Sequence, residues 1–288
     1  MNGAIIINKP AGMTSRDVVN HLNRILETRE IGHTGTLDPL ATGVLVCLIG
    51  RATKLSNILT AHDKEYIASF KLGLLTDTLD ITGEVLKEEK ALIDKKQIIK
   101  VLNKFVGEYE QEVPLYSAVK VKGKKLYDYA RGGEKVDLPK RKVQIKLIKL
   151  LKIEDDIITV RTEVSKGTYI RSLVRDIGES LGTYGTLVSL ERTISGHFRI
   201  EDANTIEDVL NNQYHLLTIN EILKAYPQEE LDPEALFRVR NGQILGRSID
   251  NYLLFTFNQE PIALYQRYDK DENKIKPAVM FYIYEYDK

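Results

Sequence analysis

The chain has 288 residues, 43% of them hydrophobic and 28% charged, with a single cysteine. Such values fit a folded protein of about two domains, at roughly 150 residues each, and exclude a disordered chain, a collagen and a small disulfide scaffold. Basic and acidic residues balance at 41 each, so net charge by itself argues against a nucleic-acid protein.

Ala4–Asn8 is an apolar run ending at Lys9-Pro10, a strand and then a turn. Thr14-Ser15 caps a helix through about Leu26 with Val18, Val19, Leu22, Ile25 and Leu26 on one face. Gly32–Gly43 reads as a loop, Gly43–Ile49 as a buried strand and Ala52–Leu59 as a short helix. Lys64–Leu72 alternates as a strand does. Asp94 caps a helix to about Val106 whose stripe is Ile98, Ile99, Leu102 and Val106. Strands are expected near Tyr109–Val113 and Ser117–Lys122, with a short helix at Leu126–Arg131. Val143–Ile153 and Ile157–Val164 form an antiparallel pair turning at Glu154-Asp155-Asp156. Thr168–Leu181 is a helix and Val188–Arg199 a strand. Pro227 ends a helix, and a boundary falls near residues 226–232. Asp232-Pro233 then starts a helix. Leu253–Phe257, Ile262–Gln266 and Val279–Tyr284 are strands with turns at Asn258-Gln259 and Asp271–Asn273. Strands and helices mix without β-α-β alternation, so the expected class is α+β around a largely antiparallel sheet, with a small β-rich module at the end.

The neutral total conceals a polarity along the chain. Residues 114–152 hold twelve Lys/Arg against three acids, a net of +9, and residues 201–234 net −8. The basic segment is either a solvated lysine-rich hairpin or a phosphate-binding face. Tyr116, Tyr127 and Tyr129, interleaved with it, offer stacking surfaces.

The longest apolar runs, such as Ala41–Ile49, fall far short of the ~20 residues that span a bilayer. Met1–Pro10 lacks the basic-then-apolar order of a secretory signal, so the expected location is cytoplasmic.

Gly32-His33-Thr34-Gly35-Thr36-Leu37-Asp38-Pro39-Leu40-Ala41-Thr42-Gly43 is neither a P-loop nor a metal motif. It presents one carboxylate, Asp38, whose backbone Pro39 biases toward extended geometry. Gly32, Gly35 and Gly43 would let the backbone approach a ligand, although Asp-Pro is also ordinary turn chemistry. In Ser165–Leu173, Thr168 or its predecessor caps a helix whose first turn carries Arg171. A cation there opposes the helix dipole, which marks either a functional residue or a plain surface one. His21, His62, His197 and His215 form no triad or metal cluster.

The Gly32–Gly43 loop followed by Leu45–Ser56 closely resembles the signature of TruB-type tRNA pseudouridine synthases. Asn8–Ser15, Asp63–Tyr66 with Gly73 and Thr76–Asp80, Val113–Arg131 and Ser165–Arg171 resemble four further blocks in the same order. Arg240–Gln243 and Lys276-Pro277 resemble a PUA-like RNA-binding module. The resemblance implies a pseudouridine synthase catalytic domain over residues 1–228, with a central mostly antiparallel sheet and flanking helices, and a PUA-like domain over 229–288. It implies Asp38 as the catalytic aspartate, Tyr66 against the target uracil and Arg171 paired with Asp38. His33, Tyr169 and Leu190 fall where members contact the RNA or the flipped nucleotide. The implied reaction is isomerisation of uridine 55 in the T loop of tRNA to pseudouridine. The implied partner is the T stem-loop, with no metal, no cofactor, no membrane and a monomeric state. Glu191 departs from the family, standing where a basic residue is common. Two other readings use the same scaffold: an RNA-binding or tRNA-folding chaperone, and a guide-dependent relative acting on ribosomal RNA.

Overall fold

The computed structural model describes residues 1–92 and 94–281. The first strand, β1 (Gly3–Lys9), is buried at every position but one. Thr14 caps α1 (Ser15–Ile25) in a reciprocal capping box with Asp17, and Val18, Val19 and Leu22 point into the core. The expected loop at 32–43 is shorter than anticipated. It is flanked by β2 (Ile31–His33), which pairs with the buried β3 (Thr42–Ile49). A 3-10 helix (Gly50–Leu55) leads into α2 (Ser56–Thr60). β4 (Lys64–Leu72) alternates buried and half-buried residues along its whole length.

A hairpin follows that the sequence reading missed, β5 (Leu74–Thr76) with β6 (Val85–Glu88). Every residue of β6 is exposed, so it lacks the period-2 signal. Asp94 caps α3 (Lys95–Lys104), whose buried stripe is Ile98, Val101 and Leu102. Ile99 and Val106, expected in that stripe, are 40% and 48% exposed because the helix stops before Val106 and turns Val101 inward instead. β7 (Gly107–Glu112) is followed by β8 (Lys120–Val121) and β9 (Lys124–Lys125), a two-residue ladder much shorter than the expected strand. Then come α4 (Leu126–Arg131), β10 (Lys140–Glu154) and β11 (Ile157–Val164), the last two antiparallel as expected. α5 (Ile170–Ser180) starts after Tyr169, which contributes no side-chain cap, and Thr168 lies outside the helix. The expected strand to Arg199 is two, β12 (Gly185–Ser195) folding back on β13 (Phe198–Arg199).

β1 to β4, β7 and β10 to β13 form one nine-stranded sheet whose main order is β1-β3-β12-β4-β11-β10-β7, while β5-β6 and β8-β9 are separate two-stranded ladders. All its pairings are antiparallel except a two-residue contact of β12 with β3, in agreement with the α+β reading. α6 (Ile206–Leu210) and α7 (Ile219–Ile222) each begin in a threonine capping box. β14 (Gln228–Glu230) precedes α8 (Pro233–Arg240), capped by Asp232 with proline in its first turn. β15 (Leu245–Gly246), β16 (Tyr252–Phe257), β17 (Glu260–Tyr268) and β18 (Asp271–Met280) complete a five-stranded sheet with β14. The last turn falls before Asp271 rather than at Asp271–Asn273, since those residues already belong to β18. The part of the expected final strand beyond Phe281 lies outside the described residues.

One core lies on the face of the large sheet toward α1, α3 and α5. A second cluster joins Ile6, Val44 and Leu48 of the large sheet to Leu254 and Leu264 of the small one and to Phe281 just after β18. The two sheets are therefore welded through apolar burial, at about 25 cal/mol per Å².

Candidate active site

The loop between β2 and β3 is gripped from three directions. Ser15 Oγ accepts the Leu37 N–H at 2.8 Å and donates to the Leu37 carbonyl at 3.2 Å. Lys9, wholly buried, donates from Nζ to the carbonyls of Pro10 (2.8 Å), Met13 (2.6 Å) and Pro39 (3.4 Å). Arg192, 1% exposed, donates from Nε to the Val44 carbonyl at 2.7 Å and from a terminal nitrogen to the Gly35 carbonyl at 3.0 Å. Burial lowers the Lys9 ammonium to about 8, Asp38 nearby working against that shift. Turn chemistry is present as well, since Ala41 N–H donates to the Asp38 carbonyl at 3.0 Å. The glycines divide. Gly35 (φ +87°) lines the cavity, whereas Gly43 (φ +97°) packs on the backbone of Arg192, where a Cβ would meet the carbonyl oxygen at 2.3 Å. Gly32 has neither a positive φ nor a close neighbour.

Asp38 thus sits on an immobilised loop, its side chain 42% exposed, with Oδ2 2.9 Å from Nε of Arg171. Arg171 is no surface residue. Its side chain is 7% exposed, and its terminal nitrogens donate to the Thr78 carbonyl (2.8 Å) and the Tyr116 carbonyl (3.0 Å), with Asp80 at 3.8 Å. A guanidinium with three acceptors in fixed directions cannot swing away from Asp38.

Asp38, Tyr66, Tyr169, Arg171 and Leu190 all line one cavity of about 620 Å³. That volume suits a nucleoside-sized ligand. Tyr66 on β4 stands opposite Arg192 of β12, and Leu190 stands opposite Ala68, so the sheet's pleat aims Tyr66 and Leu190 to the same side. His33 is not on the lining. It lies on β2 with its Nδ1 buried, and burial, with Arg16 and Arg192 nearby, pushes its pKa down.

Sequence reasoning missed Arg192, Lys64, Tyr116 and Lys9 as site-builders. Lys64 lines the cavity, donates to the Thr60 carbonyl at 2.6 Å and to the His62 carbonyl, and is lowered to about 8 by burial. Tyr116 donates to Asp77 at 2.8 Å. The one available signal was parity, since Lys9 falls in step with Ile5 and Ile7 on the core side of β1.

The basic segment 114–152 splits in two. Arg141 and Lys142, with Lys166 from the next block, line the cavity. Lys124 pairs with Glu134 at 2.5 Å, and Lys146 pairs with Asp63. Tyr127 and Tyr129 are covered by their own neighbours: Lys125 and Arg131 lie 5.2 and 5.5 Å from the Tyr127 ring, and Lys124 lies 4.7 Å from that of Tyr129.

A carboxylate locked to a guanidinium opens here into a cavity with aromatic walls and a cationic edge, a lining suited to a planar ring carried on an anionic backbone. The model of the TruB family pseudouridylate synthase N-terminal domain matches residues 23–170, and that of the tRNA pseudouridylate synthase B C-terminal domain matches residues 171–239. Proteins named tRNA pseudouridine synthase B are similar over most of the chain. The one from Mesoplasma florum is 39% identical, covering 96% of this chain and 97% of the relative. That from Clostridium kluyveri is 41% identical over 84% of each. A chain from the crystal structure of a Cbf5-Nop10-Gar1 complex superposes with a TM-score of 0.73 at 25% identity, covering 97% of this chain and 85% of that one. The chain belongs to the TruB family of pseudouridylate synthases. No helix among the described residues is long and apolar enough to cross a membrane, and no group of three or more His, Cys, Asp or Glu side chains there could hold a metal ion.

Proposed function

We propose that this chain converts a uridine of tRNA to pseudouridine, at position 55 of the T loop, with Asp38 as the catalytic residue. The supporting observation is the Asp38–Arg171 pair at 2.9 Å inside the shared cavity. The reaction breaks the N1–C1′ bond, turns the uracil, forms C5–C1′, and moves one proton from C5 to solvent while N1 gains one. No electrons are exchanged and no atom is lost. One ionised carboxylate suffices, either as a nucleophile or by assisting departure of the base. Arg171, 2.9 Å from Oδ2, fixes which carboxylate oxygen faces the ring.

The target base must leave its stack, at a cost of about a few kcal/mol. Tyr66 and Tyr169 offset it by lying against the extruded ring, and Leu190 closes the wall. Supporting the base is the role the position of Tyr66 on the cavity wall favours over accepting a proton. Arg141, Lys142 and Lys166 would track the phosphates of the T arm, whose loop is read by shape and splayed bases. The small sheet, in the place of a PUA-like domain from residue 229 onward, would grip the tRNA further along. The protein would act as a monomer in the cytoplasm.

The deciding experiment incubates purified protein with an unmodified tRNA transcript and maps pseudouridine by reverse-transcription stops after carbodiimide treatment. Product at position 55 with wild type and none with Asp38→Asn supports the reading. Tight binding without product from wild type would instead favour the chaperone reading.

A further inference from the structure

The first turn of α5 carries both Tyr169 and Arg171, yet this helix begins without a cap of its own. Tyr169 occupies the N-cap position with no side-chain cap bond, and the first turn holds no acidic residue. The Tyr169 N–H is satisfied from another element. Gln111, on the edge strand β7 and 1% exposed, accepts the Tyr169 N–H on Oε1 at 2.7 Å. The same amide donates from Nε2 to the Tyr169 carbonyl at 3.1 Å and to Tyr109 Oη at 2.5 Å. One side chain thus holds both backbone groups of a single residue, two positions before Arg171.

The neighbouring contacts extend this grip. Ser172 Oγ donates to the Glu112 carbonyl at 2.8 Å, and Arg175 meets the Glu112 carboxylate at 3.0 Å. Four residues beyond Glu112, the Tyr116 carbonyl accepts from Arg171 itself at 3.0 Å. The chain from 111 to 116 therefore runs as a splint along the start of α5 and ends on the guanidinium that faces Asp38.

We propose that Gln111 is a positioning residue for the reaction. Its side-chain amide fixes the Tyr169 backbone, and through the first turn of α5 it fixes the reach of Arg171 to Asp38. This inference rests on the function proposed above. Gln111 does not line the cavity, so it acts on turnover through the first turn of α5 and Arg171 and not by touching substrate. Leucine at this position fills similar space but leaves the Tyr169 N–H without its partner, while the Tyr169 carbonyl keeps only the Leu173 N–H at 3.0 Å, and the turn must shift to find water.

The test compares wild type, Asp38→Asn, Gln111→Leu, Gln111→Glu, Arg171→Lys and the Gln111→Leu/Arg171→Lys pair on an unmodified tRNA transcript. Gln111→Leu is expected to lower kcat about tenfold or more while KM stays within about twofold. In the Arg171→Lys background the same change should cost less than about twofold, because the contact it served is already gone. Gln111→Glu keeps the acceptor for Tyr169 N–H and regains the donor only when protonated. Its kcat relative to wild type should therefore rise as pH falls from 8.5 to 6, burial having raised the pKa of the introduced acid, roughly as seen for other buried carboxyls. A merely structural role predicts additive losses and no such pH dependence, and either result overturns the proposal. So does a folded Gln111→Leu protein with kcat near wild type. Should Gln111→Leu fail to fold, the pH series of Gln111→Glu decides alone, a flat ratio overturning the inference. Absence of pseudouridine from wild type would overturn the proposed function and this inference together, whereas normal wild-type turnover with insensitivity at Gln111 removes only the latter.

Discussion

The two partners of the central ion pair should contribute very unequally to stability. Arg171 is 7% exposed and serves three acceptors: Asp38 at 2.9 Å and the carbonyls of Thr78 and Tyr116 at 2.8 and 3.0 Å. A lysine in its place reaches one of them. Two charge-assisted hydrogen bonds disappear, at roughly 1.5–3 kcal/mol each, and the cation near Asp80, 8% exposed, is no longer held in one direction. Arg171→Lys should therefore destabilise the fold by about 3 kcal/mol or more, a fall in Tm of roughly 6–12 °C. Asp38 is 42% exposed, so water already screens its share of the pair. Asparagine still accepts from Nε, and Asp38→Asn should move stability by less than about 1 kcal/mol. Activity reverses the order. Asp38→Asn should abolish turnover, while Arg171→Lys, which keeps the charge but loosens its direction, should lower it by about 100-fold. Differential scanning calorimetry and the pseudouridine assay on the same preparations measure both axes. If Asp38→Asn melts as early as Arg171→Lys, or Arg171→Lys melts within about 2 °C of wild type, Arg171 is not the three-way brace described.

Tyr66→Phe should retain near-normal turnover if the ring only supports the base, and single-turnover rates separate that from a proton-accepting phenol, whose loss would stop the reaction. Replacing Arg141, Lys142 and Lys166 with glutamine should weaken tRNA binding and flatten the log Kd against log salt plot by roughly 0.7 per lost contact. The same change at Lys124 and Lys146, which already pair with Glu134 and Asp63, should alter the slope little; an equal effect of the two sets would place the RNA elsewhere. Burial, with His62 and Lys224 nearby, lowers His197 to about 4, below its ordinary value of 6.5. Between those values the unfolded chain binds more protons, so His197 contributes stability above pH 6.5 that is lost as the pH falls toward 4. The Tm difference between pH 7.5 and 5 should shrink in His197→Gln, and an unchanged difference would show that the ring is not held neutral by its surroundings.

Local chemistry was readable in the chain wherever one residue decides one event. Thr14, Asp94 and Asp232 cap the helices expected of them, and Asp232-Pro233 starts α8 as its type dictates. The alternation of Lys64–Leu72 and the pair of long strands around Glu154-Asp155-Asp156 follow from period-2 burial. The family blocks pointed to Asp38, Tyr66, Tyr169, Arg171 and Leu190, and these five share one cavity. β6 has no face to bury and left no mark, whereas the helical period of α3 gave Ile98 and Leu102 but exchanged Val101 for Ile99.

Only the folded chain could decide what sits beside what. Arg171 lies 133 residues beyond Asp38, and three acceptors from separate segments fix its guanidinium. Lys9, Lys64, Gln111 and Arg192 are ordinary polar letters along the chain. Each becomes a clamp on a site loop or helix end because burial leaves its polar atoms no water and forces them onto a few particular carbonyls and one N–H. Sequence determines which groups are available and where helices start. The distance between a carboxylate and a guanidinium, and the burial that holds the guanidinium in one direction, arise only when nine strands and their crossing helices close around them.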